Sequence, residues 1–410
     1  MAPTIAMFSW EKSGADVKEG EKQDEMMHLW EVRTRLTLSE KVIPRGKRVE
    51  LLQYVVEAIA ERKMGPFLKV FQAQHPDAKV PADLQAKLDK DNAEELAALE
   101  AKLTDAVENL GESEVRDAVQ VASPCVSKAE FFARIGDKAK AEETYKDAMG
   151  KTVGSGQKID LMFDQIRLAL FWNDFSAVRS LIEQTTAMVE KGGDWERRNR
   201  LKVYTAAFHL LTREFAEAAP LLLDSVSTFT CYELFSYRRF VLYTVLCTTV
   251  TQPRNLIREK LVNAPDVLAV IRDIDQLYQL LTSLSKCEYR SFFASLLSVL
   301  DMVDRDPFVH CHTSYVLREL RVVAYKQFLQ SYKSITLASM AKSFNVSTEL
   351  LDRTLSNYIA VGRVNCKIDK VEGIIETSRP DAKNAQYQSV LKHGDHLLNR
   401  IQKLSRVITY

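Results

Sequence analysis

Glycine and proline are scarce in this sequence of 410 residues, which contains 14 glycines and 11 prolines. Typical usage is roughly 7% and 5%. No glycine at all occurs in the long segment 194–361. Sandwiches, barrels and propellers need a turn every few residues, so the shortage argues against them and favours a mainly α-helical chain.

The sequence also lacks paired cysteines, an excess of one charge and long apolar runs. Its six cysteines form no CxxC pair, which favours reduced thiols in an intracellular protein. The 56 basic and 55 acidic side chains leave a net charge of +1, so no global field attracts nucleic acid or an anionic membrane. The apolar run 240–250 is shorter than the ~20 residues of a membrane span. We therefore expect a protein of the cytosol, the nucleus or both, whose partners are proteins, without a membrane or small-molecule substrate.

The first third of the chain predicts a tail and a helical arm. Residues 1–20 have the composition of a flexible tail, and residues 21–125 form the predicted arm, with helices over 24–36 and 47–63. Over residues 82–121 leucines recur at spacings of three and four, which predicts one long amphipathic helix packed against the rest of the chain.

A weak internal repeat occupies residues 126–332. Short turns separate apolar helices at Gly136, Asn173, Arg213 and Gln252, which follow one another at nearly equal intervals. The interval is somewhat longer than the about 34 residues of a tetratricopeptide repeat, and it predicts a right-handed superhelix of tetratricopeptide-like helical hairpins. After each turn we expect a small residue where the paired helices approach, followed by a larger core residue. The predicted small residues are Ala139, Ala177 and Ala216, and the predicted core residues are Tyr145, Leu181 and Leu222.

Residues 333–380 have the element order of a winged helix. We predict a short helix over 337–344 and a second helix that Ser347 caps and Gly362 ends. Two strands follow, because apolar and polar residues alternate on either side of a turn at 369–373. The apolar strand residues are Val364, Cys366 and Ile368 in the first strand, and Ile374 and Ile375 in the second.

Residues 381–410 predict a final helix with an unpartnered apolar face. Over residues 383–407 apolar side chains recur at alternating spacings of three and four. No other predicted element is left to cover this stripe, so we expect it to pack against other chains.

No motif in the sequence predicts catalysis, a cofactor or a metal. The segment 149–152 resembles the end of a phosphate-binding loop, but its first glycine is replaced by Tyr145. His310 and His312 have the spacing of a metal-dependent isopeptidase pair, but no aspartate follows before Asp352. We therefore predict that the protein is not an enzyme.

A winged helix can bind DNA, and its charge decides whether that function is favoured here. Residues 335–380 carry six basic and five acidic side chains, which is too few net charges to displace the counterions of a nucleic acid. We favour a domain whose wing edge pairs with a strand of a neighbouring chain.

Three strings of residues carry a family resemblance, namely 192–200 (GGDWERRNR), 366–377 (CKIDKVEGIIET) and the stretch 379–387. With the repeats and the winged helix, they make the chain similar to the PCI-domain subunits of the proteasome lid, the signalosome and the translation initiation factor three complex. The resemblance is strongest to the lid of the proteasome regulatory particle. In the first string we expect a capped helix start at which Trp195 packs between repeats.

The resemblance implies a non-catalytic scaffold that joins other PCI lid subunits, the ATPase ring and the core particle in a hetero-oligomer, and that supports ATP- and ubiquitin-dependent protein degradation. A signalosome scaffold subunit and a winged-helix nucleic-acid-binding protein remain the alternatives. By the same resemblance two sets of residues would contact neighbours. These are Val364, Cys366, Ile368, Ile374 and Ile375 in the wing sheet, and Leu397, Leu398, Ile401 and Leu404 in a bundle of C-terminal helices.

Overall fold

A computed structural model describes residues 22–39, 42–76, 78, 80–81, 83–108, 114–377 and 382–408. Within these ranges the chain forms nineteen α-helices and three short strands. Its internal contacts divide it into two compact units, Met1–Ser285 with Ala294–Leu317 and Lys286–Phe293 with Arg318–Tyr410.

The helices of the N-terminal two thirds follow one another with short connections. In chain order they are α1 (Glu25–Leu36), α2 (Arg45–Glu61), α3 (Gly65–Gln74), α4 (Leu84–Glu108), α5 (Glu114–Ile135), α6 (Lys138–Lys151), α7 (Ser155–Phe171), α8 (Phe175–Gly192), α9 (Trp195–Thr212), α10 (Phe215–Ser225), α11 (Tyr237–Thr251), α12 (Arg254–Ile257), α13 (Pro265–Ile271), α14 (Asp275–Lys286), α15 (Tyr289–Val303) and α16 (Thr313–Leu329).

The four predicted repeat turns all fall between successive helices. Gly136 separates α5 from α6, Asn173 separates α7 from α8, Arg213 separates α9 from α10, and Gln252 separates α11 from α12. The first three have positive φ angles of 79°, 56° and 67°. A single left-handed residue therefore ends one helix of each pair, and the acidic residue after it occupies the N-cap of the next.

The register predicted within the repeats was partly wrong. The positions buried in common lie five and nine residues after each turn marker, where Ala141, Val178 and Ala218, and then Tyr145, Ile182 and Leu222, are at most 7% exposed. Tyr145 and Leu222 were predicted correctly, whereas Ala139 and Ala216 are exposed and Ala177 and Leu181 are half-buried. The left-handed residue and the cap come before the first helical turn, so the buried stripe begins one or two residues later than expected.

The single long helix predicted over residues 82–121 is instead two helices. α4 ends at Glu108 and α5 begins at Glu114, and the two pack against each other. Leu96, Leu99 and Leu103 of α4 lie against a buried cluster that includes Phe131 and Tyr145. The periodic leucines therefore face the rest of the chain as expected, although the helix that carries them is shorter.

Helix α1 belongs to the core of the first unit. Its Trp30 is 2% exposed, and the indole Nε1–H donates a hydrogen bond of 2.9 Å to Oδ1 of Asn173. The Trp30 ring centroid lies 4.9 Å from that of Phe308. Glu31 is fully buried and pairs at 2.5 Å with Nη1 of Arg239 in α11. The start of the predicted arm is thus joined to the repeats by buried polar and aromatic contacts.

The second unit contains a winged helix, which confirms the predicted fold class. Its elements are β1 (Ser334–Thr336), α17 (Leu337–Phe344), α18 (Thr348–Ala360), β2 (Cys366–Asp369) and β3 (Ile374–Thr377), followed by α19 (Ala382–Ile408). Ser347 accepts a hydrogen bond from the backbone N–H of Leu350, and Gly362, with a φ of 72°, ends α18. The strands form an antiparallel sheet in the order β1-β3-β2. β1 was not predicted.

Phe344 is the centre of the second unit's aromatic core. Its side chain is fully buried, and four other aromatic rings have centroids within 5.3 Å of its own. The four residues are Tyr289, Phe293, Tyr325 and Phe328. These contacts bind α17 to α15 and α16, so the position of the winged helix on those helices depends on one side chain.

Candidate protein–protein interfaces

The three-stranded sheet leaves the outer edge of β2 free within the described part of the chain, because β2 pairs only with β3. Cys366 and Ile368 lie in β2, Ile374 and Ile375 lie in β3, and Val364 precedes β2. Val364, Cys366 and Ile375 are at most 5% exposed, so they form the domain's own core. Ile368 and Ile374 are half-buried. The surface that β2 offers to another chain is its backbone edge, and its contact with a neighbour stays a prediction.

The hairpin that joins β2 to β3 is held in place from both sides. Asp369 Oδ1 accepts a hydrogen bond of 2.9 Å from the backbone N–H of Val371. The ammonium of Lys370 lies 3.0 Å from Oδ2 of Asp352 in α18. Gly373 has a φ of 67°, and its carbonyl accepts from the backbone N–H of Leu337 at 2.8 Å. Because these contacts fix the turn, β2 keeps a defined edge.

The charge of the winged helix does not favour nucleic acid. On α18, which corresponds to the recognition helix of DNA-binding relatives of this fold, the exposed residues include Glu349, Leu350 and Arg353. Lys370 at the tip of the wing is already paired with Asp352. On α18 and at the wing tip, one exposed arginine and one engaged lysine leave few cations for phosphate contacts.

Helix α19 presents an apolar stripe that nothing in the described chain covers. It has 27 residues, and each of its side chains that the structure describes is exposed. The four residues predicted to enter a bundle, Leu397, Leu398, Ile401 and Leu404, are 57–64% exposed. Their contact with another chain stays a prediction, which is favoured because large contiguous apolar patches on protein surfaces mark interaction sites.

The string 192–200 forms an ion-pair network, and the prediction for Trp195 was wrong. Trp195 is 66% exposed and does not pack between repeats. Asp194 precedes α9 without a side-chain cap bond to the backbone, because its carboxylate instead accepts from Arg197 at 2.7 Å. Arg197 also donates two hydrogen bonds to Asp160 of α7. The string therefore fastens neighbouring repeats to each other.

A second charged cluster, which the sequence did not predict, surrounds Arg167 of α7. Its guanidinium contacts the carboxylates of Asp24, Asp164 and Glu233. Burial raises the pKa of Asp164 to about 6, although the charge of Arg167 acts in the opposite direction. No local pattern signals such a cluster, since Asp24 and Glu233 come from distant parts of the sequence.

Two histidine-containing groups carry atoms of the kinds that bind metals. His310 and His312 lie in a short 3-10 turn, and His312 Nε2 is 3.0 Å from the carbonyl oxygen of Leu211. His209, Glu214 and Glu217 bring their ligand atoms within 4.8 Å of one another. His209 Nδ1 is 2.7 Å from Glu214 Oε2, and this hydrogen bond lowers the pKa of Glu214. The hydrogen bond between His209 and Glu214 closes the left-handed turn at Arg213, so the proximity of these side chains is explained by the turn.

Among the described helices, none combines the length and the apolar character that crossing a membrane requires.

Stacked helical hairpins, a winged helix with a free sheet edge and an exposed terminal helix together define a PCI-type architecture. The family model described as PCI domain matches residues 300–379. The model described as 26S proteasome subunit RPN7 matches residues 82–260, and the 26S proteasome regulatory subunit RPN7/PSMD6 C-terminal helix matches residues 386–408. The chain belongs to the RPN7 family of 26S proteasome subunits.

Relatives from distant organisms support this assignment over nearly the whole chain. The 26S proteasome non-ATPase regulatory subunit 6 homolog of Arabidopsis thaliana is 44% identical, covering 95% of this chain and 99% of the relative. The subunit 6 of Dictyostelium discoideum is 44% identical, covering 86% and 91%. The regulatory subunit RPN7 of Saccharomyces cerevisiae is 33% identical, covering 90% and 91%. The membership favours the proteasome over the signalosome alternative.

Proposed function

We propose that this chain is a non-catalytic structural subunit of the 26S proteasome regulatory particle lid, in the cytoplasm and the nucleus. Its relatives are named non-ATPase regulatory subunits of the 26S proteasome. The observation that carries the proposal is α19, whose described side chains are all exposed although a third of the helix is strongly apolar. A helix of this composition is stable in water only when partners cover its apolar face.

The role we propose is geometric. The repeats supply a continuous hydrophobic core. The edge of β2 offers backbone groups to the sheet of a neighbouring PCI subunit, and α19 packs with the terminal helices of other lid subunits. The assembled lid is then held on the ATPase ring and the core particle, so that ubiquitinated proteins are unfolded and degraded. No step of this role requires a cofactor, a nucleic acid or a small-molecule substrate.

The test compares the tagged full-length chain with a chain that ends at Pro380, each expressed in cells of its own species. Affinity purification and mass spectrometry measure the lid subunits recovered. We expect the full-length chain to recover the lid, and the shortened chain to recover at most a tenth of it. Circular dichroism of the purified shortened chain checks that the repeats remain folded. Failure of the full-length chain to recover the lid contradicts the proposal, and recovery at the full-length level by the shortened chain contradicts the role given to α19.

A further inference from the structure

The apolar stripe of α19 has a gap at its centre. The stripe follows alternating spacings of three and four, and the position that continues the pattern between Val390 and Leu397 is Gly394. No atom of the described chain lies within 4 Å of the place that a Cβ of Gly394 would occupy. The other members of the stripe are Tyr387, Leu391, Leu398, Ile401, Leu404 and Ile408, all at least 57% exposed. The stripe is therefore a row of large side chains with one notch.

A glycine at this place is unfavourable for the helix by itself. Among residues other than proline, glycine is the least helix-favouring, and it is tolerated best at helix ends. Gly394 lies near the middle of α19, far from both of its ends, so it has no role as a cap. Where two helices pack, a position without a side chain forms a hole that receives a side chain of the facing helix.

A second copy of this chain in full overlap does not fill the notch. Gly394 lies next to the midpoint of α19, so full overlap of two copies, parallel or antiparallel, places one notch opposite the other. The charges also oppose self-association, because α19 has five basic residues and one acidic residue, a net charge of +4, while the whole chain is +1. Two copies would bring like charges together, which is unfavourable.

We propose that α19 docks on a helix of a different chain, which carries acidic residues beside its apolar stripe and inserts one large apolar side chain, a leucine or an aromatic ring, into the notch at Gly394. This inference rests on the proposed function, since it assumes that α19 joins an assembly. Gly394 would then determine which apolar helix is accepted, because a helix with a small residue at the facing position leaves the hole empty.

The first experiment places the same leucine on two sides of α19. Gly394→Leu fills the notch, and Asn399→Leu adds a leucine about 140° around the helix, away from the stripe. Both changes favour the helix, and both are made in the tagged full-length chain. We expect Gly394→Leu to lower the recovery of lid subunits at least tenfold and Asn399→Leu to leave it within twofold. If the stripe docks without a notch, Gly394→Leu adds apolar area, and unchanged or increased recovery overturns the inference.

The second experiment tests the chemistry of the partner. The variant Arg400→Glu reverses an exposed charge one helical turn from both Leu397 and Leu404, at the edge of the stripe, and Lys392→Glu on the opposite face is the matched control. Recovery is measured at about 0.1 M and about 1 M salt, where charges are screened beyond about 10 Å and about 3 Å. For Arg400→Glu we expect a reduced recovery at the lower salt and a smaller difference from wild type at the higher salt. Equal recovery of this variant and wild type at the lower salt overturns the proposal that the partner helix is acidic.

The third experiment tests the occupant directly. Light scattering on the purified full-length chain should give the mass of a monomer, and a dimer that Leu397→Asp dissociates overturns the assignment to a different chain. The result with the full-length wild-type chain separates the two proposals. If that chain does not recover the lid, the proposed function fails, whereas recovery by Gly394→Leu at the wild-type level contradicts only the proposed notch.

Discussion

Arg363 holds Glu319 through two parallel hydrogen bonds. Nη1 donates to Oε2 and Nη2 donates to Oε1, each at 2.9 Å. Glu319 lies in α16 and is 5% exposed, whereas Arg363 directly follows Gly362, the residue that ends α18. The chain that leads from α18 into β2 is therefore fastened to α16 by a planar group whose geometry only arginine can supply.

Loss of this pair should loosen the start of β2. For Arg363→Ala we expect the free energy of local opening at β2 to fall by about 1–2 kcal/mol, less than for a fully buried pair because the Arg363 side chain is 43% exposed. Arg363→Lys should restore only part of this free energy, since lysine cannot make a bidentate contact with a carboxylate. Hydrogen exchange of the β2 amides measures the effect, and Arg353→Ala on the exposed face of α18 is the control. Equal protection in all variants would contradict the role of the pair.

The winged helix could be predicted because its signals are local. Ser347 marks a helix start by its capping hydroxyl and Gly362 marks a helix end by its left-handed conformation, and the structure places each of them at a helix terminus. β1 escaped prediction for the opposite reason. The strand is too short to show alternation, and the pairing of Ile335 with Ile375 joins positions that both helices of the winged domain separate in the sequence.

Removal of the Phe344 ring should unfold the winged helix selectively. Phe344→Ala leaves a cavity between four aromatic neighbours, and such changes cost about 3–5 kcal/mol. We expect limited proteolysis to cut the variant within the second unit while the repeats stay protected. The control is Leu350→Ala, because that leucine is 44% exposed and its loss should change stability by less than about 1 kcal/mol. If Phe344→Ala and wild type resist the protease equally, the ring cluster does not determine the stability of the winged helix.

The sequence patterns indicate the exposure of the candidate interface residues to different degrees. Apolar periodicity locates the stripe of α19, and Leu397 and Ile401 are indeed exposed along it. The alternation in the strands identifies residues that face one side of the sheet, but it does not say whether that side packs on its own domain or on another chain. Val364 and Cys366 turn out to face their own domain. Trp195 was misjudged because a large aromatic residue is expected inside, and single exposed aromatics carry no sequence signal.

The turn at Gly136 should tolerate no side chain. Its φ is 79°, and a Cβ there would lie 2.7 Å from Cβ of Phe67, which is 1% exposed. Gly136→Ala should therefore lower the free energy of unfolding of the repeats by about 2–4 kcal/mol, through backbone strain and overpacking. Gly46→Ala is the matched control, because its Cβ meets nothing within 4 Å inside α2 and should stabilise by about 0.5–1 kcal/mol. Denaturant unfolding followed by circular dichroism compares them, and a neutral Gly136→Ala would contradict the close approach.

The buried carboxyl of Asp306 should make the repeats less stable as the pH rises. Burial raises the pKa of Asp306 to about 6 in the folded chain, against the ordinary value of 3.8, while Tyr243 donates to both of its oxygens at 2.8 and 3.0 Å. Below pH 3.8 the carboxyl is protonated in both states, so its full contribution is present. Between about pH 4 and 6 the unfolded chain loses the proton first, and unfolding becomes easier. Asp306→Asn removes this titration, so its free energy of unfolding relative to wild type should increase by roughly 1–3 kcal/mol from pH 4 to pH 7. Denaturant unfolding of both proteins across this range measures the difference, and a difference that does not change with pH would mean that Asp306 ionises as easily in the folded chain as in water.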